Sequence, residues 1–252
     1  DADGNLLYAQ RKLEALPIFY TAKEREIHSK LNDYCKSREL GAEKTGSTFG
    51  TAFVNQLLKK RLFSSPAAFA STLEKHIASL TYGNLRSDNS PMDDRILRKA
   101  ILRVDEDYAN DQEVENAQSE AVEEASCRAQ PLTTDQQQML SELRKWAQIA
   151  RNQVDSKAKA VLSWLDTNLK TNGHWNEHRV ILFTEYRTTL QWIHEILASH
   201  GFGGERLAIL HGGIAQDERE KVKAAFQTAP KVSAVRILLA TDAASEGIDL
   251  QN

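Results

Sequence analysis

The spacing of apolar residues changes along the chain, from a helical period in the first part to short apolar runs in the last. Over residues 22–40, Ile27, Leu31 and Tyr34 lie three or four positions apart, which predicts one face of a helix. From residue 179 onward, three short runs rich in Ile, Leu and Val alternate with helical patterns: 179–184, 206–211 and 235–241. Strand and helix in alternation predict a parallel sheet whose strands are buried on both faces.

These two patterns predict an α/β chain with two domains. We expect a mostly helical module over residues 1–150 and a lobe with a parallel sheet over residues 151–252. Within the module, "KLEALPIFYT" (12–21) predicts a strand or an extended segment, and Ser65 followed by Pro66 predicts the start of a helix. No apolar run is long enough for a membrane span.

The acidic segment 104–124 changes how the net charge is interpreted. It holds nine acidic residues and no Lys or Arg, whereas the whole chain has a formal net charge of −3, so the remainder carries +6. We expect this segment to be solvated and to face away from any nucleic acid. The basic run "KKR" at 59–61 could touch phosphates, although on a helix such a run is more often a solvated face.

Polar residues follow the predicted strands at their carboxyl ends, where parallel sheets bind ligands. Thr184 or Glu185 is predicted to cap the next helix, so that Arg187 lies near its start and can meet a phosphate. After the last strand, Thr241 and Ser245 offer hydroxyls, and small neighbours expose backbone N–H groups. Such donors are suited to a protein that binds the sugar–phosphate backbone without recognising bases. Each cluster alone, however, also fits an ordinary strand-to-loop junction.

Together, the order and spacing of these clusters resemble the C-terminal helicase domain of superfamily-two ATPases. "VILFTEYRTTL" (180–190) is similar to motif IV, "LHGG" (210–213) followed by Arg219 to the segment after it, and "ILLATDAASEGIDLQ" (237–251) to motif V. The "SEGIDL" form and "LLKKRLFSSPAAFASTLEKH" (57–76) resemble the Swi/Snf-like branch, especially bacterial relatives of the RNA-polymerase-associated ATPase and of phage-defence helicases.

The resemblance implies a partial RecA-like sheet, the C-terminal lobe of a P-loop-NTPase-like helicase, over residues 151–252. It also implies roles for particular residues. The nucleic-acid-binding residues would be Thr184, Arg187, Thr241, Ser245 and Glu246, and the ATP-binding residues would be Gly247 and Asp249.

Parts of that family's catalytic apparatus have no counterpart in this sequence. There is no GxxxxGK[ST] phosphate loop and no Asp-Glu metal pair after a strand, and the arginine-rich motif VI is not reached after motif V. We therefore assign no catalytic and no metal-binding residue, and expect this lobe to be truncated after motif V. The chain alone is expected to be inactive, with ATP and Mg²⁺ acting as cofactors in a full-length hydrolase that also carries a first RecA-like lobe.

The function expected from the resemblance is that of a fragment of an ATP-dependent motor, a DNA translocase or helicase-like ATPase acting on double-stranded DNA in the bacterial cytoplasm. The fragment would contribute phosphate contacts and part of the ATP cleft, and its helical module could bind a protein partner. Two alternatives stay open: a non-catalytic scaffold that binds other proteins, and an RNA helicase.

Overall fold

The computed structural model of the chain describes residues 12–44, 47–83, 91–104 and 110–242. Its helices in these ranges are α1 (Ala22–Glu43), α2 (Thr48–Ser64), α3 (Pro66–Gly83), α4 (Pro91–Val104), α5 (Asp111–Cys127), α6 (Thr134–Ala150), α7 (Ser156–Leu169), α8 (Arg187–Leu197) and α9 (Gln216–Gln227). Its strands are β1 (Lys170–Thr171), β2 (His174–Trp175), β3 (Val180–Thr184), β4 (Leu207–Leu210) and β5 (Ile237–Thr241). Across the described ranges, no helix is both long and apolar enough to cross a bilayer.

Side-chain caps fix where several of these helices begin. Thr21 and Thr133 form capping boxes with the residues three positions later, at the starts of α1 and α6. Ser65 accepts a hydrogen bond from the Ala68 N–H at 3.1 Å, directly before α3, as the Ser-Pro pair predicts. The sequence predicts a strand or an extended segment over 12–21. This segment contains no strand, so the structure supports the extended alternative.

The first six helices share one hydrophobic core. Tyr34 and Phe69 are fully enclosed in it, and Tyr34 belongs to a chain of buried hydrogen bonds. Tyr34 Oη lies 2.7 Å from His76 Nε2, while His76 Nδ1 lies 2.7 Å from Ser126 Oγ. Burial lowers the pKa of His76 to about 3, so its ring stays neutral and one nitrogen donates while the other accepts. This chain of contacts ties α1, α3 and α5 together.

The sheet that follows has three parallel strands in the order β3-β5-β4. Every residue of β5 is buried because it is the central strand. Ile237 packs with residues of α7 and α8, whereas Leu238 and Ala240 pack with Phe226 of α9, so alternate residues face opposite helical layers. The three strands predicted from the apolar runs are confirmed, and the parallel sheet is consistent with the α/β class.

Hydrogen bonds between the two parts hold the helical bundle against the sheet. The Thr189 hydroxyl on α8 lies 2.7 Å from Ser64 Oγ and 2.9 Å from Ser65 Oγ. Lys157 Nζ donates to the carbonyl oxygens of Phe63 and Ser64 at 2.6 Å each, which satisfies the end of α2. The junction between α2 and α3 is therefore fixed to the first turns of α7 and α8.

Glu24, on the first turn of α1, holds the N-terminus of α7. Its carboxylate accepts from the Ser156 N–H at 2.9 Å, from Ser156 Oγ at 2.5 Å, and from the N–H and Oγ1 of Thr21 at 2.7 Å each. Burial raises the pKa of Glu24, but these hydrogen bonds outweigh it and lower the pKa to about 2.

We predict that Glu24→Gln lowers the free energy of unfolding by about 1.5–3 kcal/mol, the range for hydrogen bonds to a charged group. The folded-state pKa is depressed, so this stabilisation is complete above the ordinary glutamate pKa of about 4.3 and is lost as pH falls through about 2. Urea unfolding should show the two proteins converging as the solution is acidified. Glu26→Gln, at an exposed position on the same helix, is the control; a pH-independent gap for Glu24→Gln would contradict this account.

Candidate nucleic-acid interface

The carboxyl ends of the three parallel strands meet at one edge of the sheet, here called the strand-end edge (Thr184–Arg187, His211–Gly213 and Thr241–Asp242). Thr184 is the register partner of Thr241, and Leu210 is the register partner of Ala240. The predicted meeting of these three clusters is therefore confirmed for the described residues. Ser245, Glu246, Gly247 and Asp249 lie outside the described residues.

Arg187 lies beside the turn that follows β4. A Cβ built on Gly213 would be 3.4 Å from Arg187 Nη1 and 3.2 Å from Asn110 Oδ1. His211 Nδ1 accepts from the Gly213 N–H at 3.2 Å, which holds the turn closed. Burial, and then the charge of Arg187, lower the pKa of His211, which favours the neutral ring that this acceptor role requires.

Asp111, the first residue of α5, is inserted into this edge. Its Oδ2 accepts from the Gly212 N–H and from the Thr241 hydroxyl, each at 2.6 Å. Asp111 is 5% exposed and Thr241 is fully buried. The prediction that segment 104–124 is solvated is therefore wrong for Asp111, whose burial is compensated by two donors of the sheet.

Glu115, one turn further along α5, binds the start of α8. Its carboxylate accepts from the Thr188 N–H at 3.1 Å and from the Thr188 hydroxyl at 2.9 Å. The N-cap position of α8 is Tyr186, whose side chain makes no capping bond, so the predicted cap by Thr184 or Glu185 is wrong. A carboxylate from another helix takes that role, since free N–H groups and the helix dipole favour an anion there.

Arg61 on α2 completes the contact with Glu115. Its Nη1 donates to Glu115 at 3.0 Å, its Nη2 donates to Gln118 Oε1 at 2.6 Å, and its guanidinium lies 3.8 Å from the centre of the Tyr186 ring. At 4% exposed, Arg61 does not belong to the solvated face predicted for "KKR". Lys60 does belong to that solvated face, because its side chain is 53% exposed. Its Nζ lies 3.4 Å from Oε1 of Glu185, whose side chain is 50% exposed.

A groove between α2 and the end of β3 begins at the strand-end edge. It has a volume of about 680 Å³. Three lysines, two aromatic residues and two glutamates line it together with Thr184: Lys59, Lys60, Lys157, Phe63, Phe183, Glu39 and Glu185. Phe63 and Phe183 are both more than half exposed. Basic side chains interleaved with aromatic rings are typical of surfaces that bind nucleic-acid strands.

Acidic groups also gather at the strand-end edge. Burial, and then the like charges of Glu185 and Asp111, raise the pKa of Asp242, the residue after β5. Where the chain is described, no three His, Cys, Asp or Glu side chains are grouped to hold a metal ion. The arrangement thus offers hydrogen-bond donors and lysines to an anion, and carboxylates that compete for some of those donors.

Comparison with known families agrees with this geometry. Residues 159–252 match the family model described as the helicase conserved C-terminal domain. No curated protein and no solved structure matches the chain. The match supports a superfamily-two-like helicase C-terminal domain with a RecA-like fold, and hence part of a helicase-type motor that binds nucleotide and nucleic acid. The Swi/Snf branch, double-stranded DNA as the substrate and the individual residue roles stay predictions.

We predict that Arg61→Met destabilises the fold by about 3–5 kcal/mol, because it leaves the Glu115 carboxylate without its buried cation. Lys60→Met is the matched control: it removes the same charge at the adjacent, exposed position and should cost about 0–1 kcal/mol. Denaturant unfolding measures both values. Equal effects from the two substitutions would show that the Arg61–Glu115 contact is not a fixed part of the fold.

Proposed function

We propose that this chain is part of an ATP-dependent translocase on double-stranded DNA, of the Swi/Snf-like branch, and that the strand-end edge supplies its backbone phosphate contacts. The observation that carries the proposal is the meeting of Thr184, Arg187 and Thr241 at one edge, within a region that matches a helicase domain. Hydroxyls, backbone N–H groups and a guanidinium are the groups that bind phosphate without reading sequence.

The nucleic-acid strand is proposed to run from this edge into the groove beside α2. Thr184 lines the groove, and Lys59 and Lys60 carry positive charge along its wall. Ser245 and Glu246, which follow the end of β5 in sequence, are proposed to add contacts on the same side. Binding would then depend on salt, because each neutralised phosphate releases counterions.

ATP is proposed to bind on the side of Gly247 and Asp249, between this lobe and a first RecA-like lobe. The accompanying Mg²⁺ is assigned to no described residue, since the acidic and histidine side chains of those ranges form no ligand group. ATP supplies the free energy of the cycle. This chain contributes by changing its contacts with the nucleic-acid backbone when the two lobes close. Such a change requires that the contacts differ between the two nucleotide states of the motor.

Removing the groove lysines tests the nucleic-acid part of the proposal. Lys59→Gln with Lys60→Gln should weaken binding of a labelled DNA duplex about tenfold and reduce the salt slope by about 1–2, as expected for two lost phosphate contacts. Lys75→Gln with Lys145→Gln, which do not line the groove, is the charge-matched control. Fluorescence anisotropy with duplex DNA and with RNA compares the two substrates. Tighter binding of RNA would favour the RNA helicase, and equal losses in both variants would exclude this groove as the path.

The nucleotide part of the proposal is tested in a protein that carries both lobes. Ser245→Ala with Glu246→Ala should reduce ATP hydrolysis stimulated by nucleic acid while leaving the unstimulated rate near its parent value, because these residues are assigned to the strand and not to ATP. Unchanged stimulation would refute the assignment. Loss of hydrolysis without loss of partner binding would instead favour a non-catalytic scaffold.

A further inference from the structure

The face of α5 that carries Asp111 and Glu115 occupies hydrogen-bond donors of the strand-end edge and of Thr188, the residue that follows Arg187. Asp111 accepts hydrogen bonds from the Gly212 N–H and the Thr241 hydroxyl. Glu115 accepts hydrogen bonds from the N–H and the hydroxyl of Thr188. We infer that α5 is an internal ligand of the strand-end edge: its two carboxylates take the places of two backbone phosphates, and nucleic acid binds there only when α5 withdraws. This inference rests on the proposed function and adds a competing occupant to its site.

The donor sets around the two carboxylates are those that bind phosphate oxygens. One set combines a backbone N–H in a glycine turn with a threonine hydroxyl; the other combines the first turn of a helix, a threonine hydroxyl and the Arg61 guanidinium. Carboxylate and phosphate oxygens are both anionic acceptors, so either can satisfy the same donors. Because Asp111 and Glu115 are four residues apart on one helix, one rigid element fills both places.

The charge of α5 strengthens this exclusion. Between Asp111 and Cys127 the helix carries six acidic residues and no Lys or Arg. While α5 is seated, a phosphate that approaches Thr241 meets Asp111, Asp242 and Glu185 together; burial, and then the charges of Glu185 and Asp111, raise the pKa of Asp242. Withdrawal of α5 removes the Asp111 charge from this group and exposes the donors in the same movement.

The packing of α5 indicates what has to move. A Cβ on Gly83 of α3 would clash with the carbonyl oxygen of Cys127, and a Cβ on Gly50 of α2 would lie 3.3 Å from Ala125 Cβ. The C-terminal half of α5 is thus in close contact with α2 and α3, whereas its N-terminal turn reaches the sheet through Asp111 and Glu115. The expected motion is therefore a release of the N-terminal turns of α5 from the sheet and from Arg61, while its C-terminal half stays packed on α2 and α3.

The first test removes the two carboxylates without changing side-chain shape. Asp111→Asn with Glu115→Gln should tighten binding of a labelled DNA duplex about tenfold or more, which corresponds to a binding-competent fraction of about one in ten or less in the parent chain. Glu113→Gln with Glu120→Gln removes the same charge from exposed positions of the same helix and should change affinity far less. Circular dichroism melting verifies that each variant is folded.

A disulfide lock tests the movement without altering the two carboxylates. Asn110→Cys with Gly213→Cys places a cysteine pair at two neighbouring positions, since a Cβ built on Gly213 is 3.2 Å from Asn110 Oδ1, and thiol titration verifies that the disulfide forms. The oxidised protein should lose affinity for the duplex about tenfold or more relative to its reduced form, whereas Asn110→Cys alone should respond little to oxidation.

The outcomes separate this inference from the proposed function. If the parent chain binds the duplex, but the carboxylate variant matches its charge control and the lock has no effect, α5 is not a competitor and the proposed function stands. If no form binds duplex DNA or RNA, including the carboxylate variant with its donors released, the proposed function and the inference both fail. A gain in the carboxylate variant together with a loss in the locked protein supports the inference.

Discussion

The placement of α5 against the sheet depends on two acidic contacts, one at the ends of the strands and one at the start of α8. Asp111 joins the end of β5 to the turn after β4, and Glu115 joins the start of α8 to Arg61 of α2. Buried carboxylates are costly unless several donors satisfy them, so the positions of α5 and the sheet are set by the need to keep these donors paired. The strand-end edge donates to an anionic side chain, and the acidic helix α5 supplies that side chain. The edge and the helix are therefore parts of one structural feature.

Local patterns predicted much of the fold because their signals lie within single elements. Runs rich in Ile, Leu and Val predicted all three parallel strands, and Ser65-Pro66 predicted the start of α3. Contacts across the chain were not predictable in this way: 130 residues separate Asp111 from Thr241, and no spacing links them. Acidic residues with no nearby base are ordinarily solvated, so the sequence favoured an exposed α5; only the assembled edge provides the donors that make burial possible.

The same reasoning explains which parts of the candidate site were found from the sequence. Thr184, Arg187 and Thr241 follow strands, and parallel strands bring their carboxyl ends together, so their meeting could be predicted. Arg61 and the lysine-lined groove could not, because the direction of each side chain of "KKR" depends on how α2 packs. If the strand-end edge binds nucleic acid as proposed, covering its donors with the chain's own carboxylates would couple strand binding to the position of α5.

Hydrogen–deuterium exchange of the full chain, measured with and without a saturating DNA duplex, tests this coupling most directly. If nucleic acid replaces the carboxylates, amides in the first turns of α5 should exchange faster in the complex, while the amides of Thr188 and Gly212 should be at least as protected as before. Unchanged or slower exchange in α5, together with protection elsewhere on the surface, would contradict the claim that the strand-end edge is where nucleic acid binds and that α5 covers it.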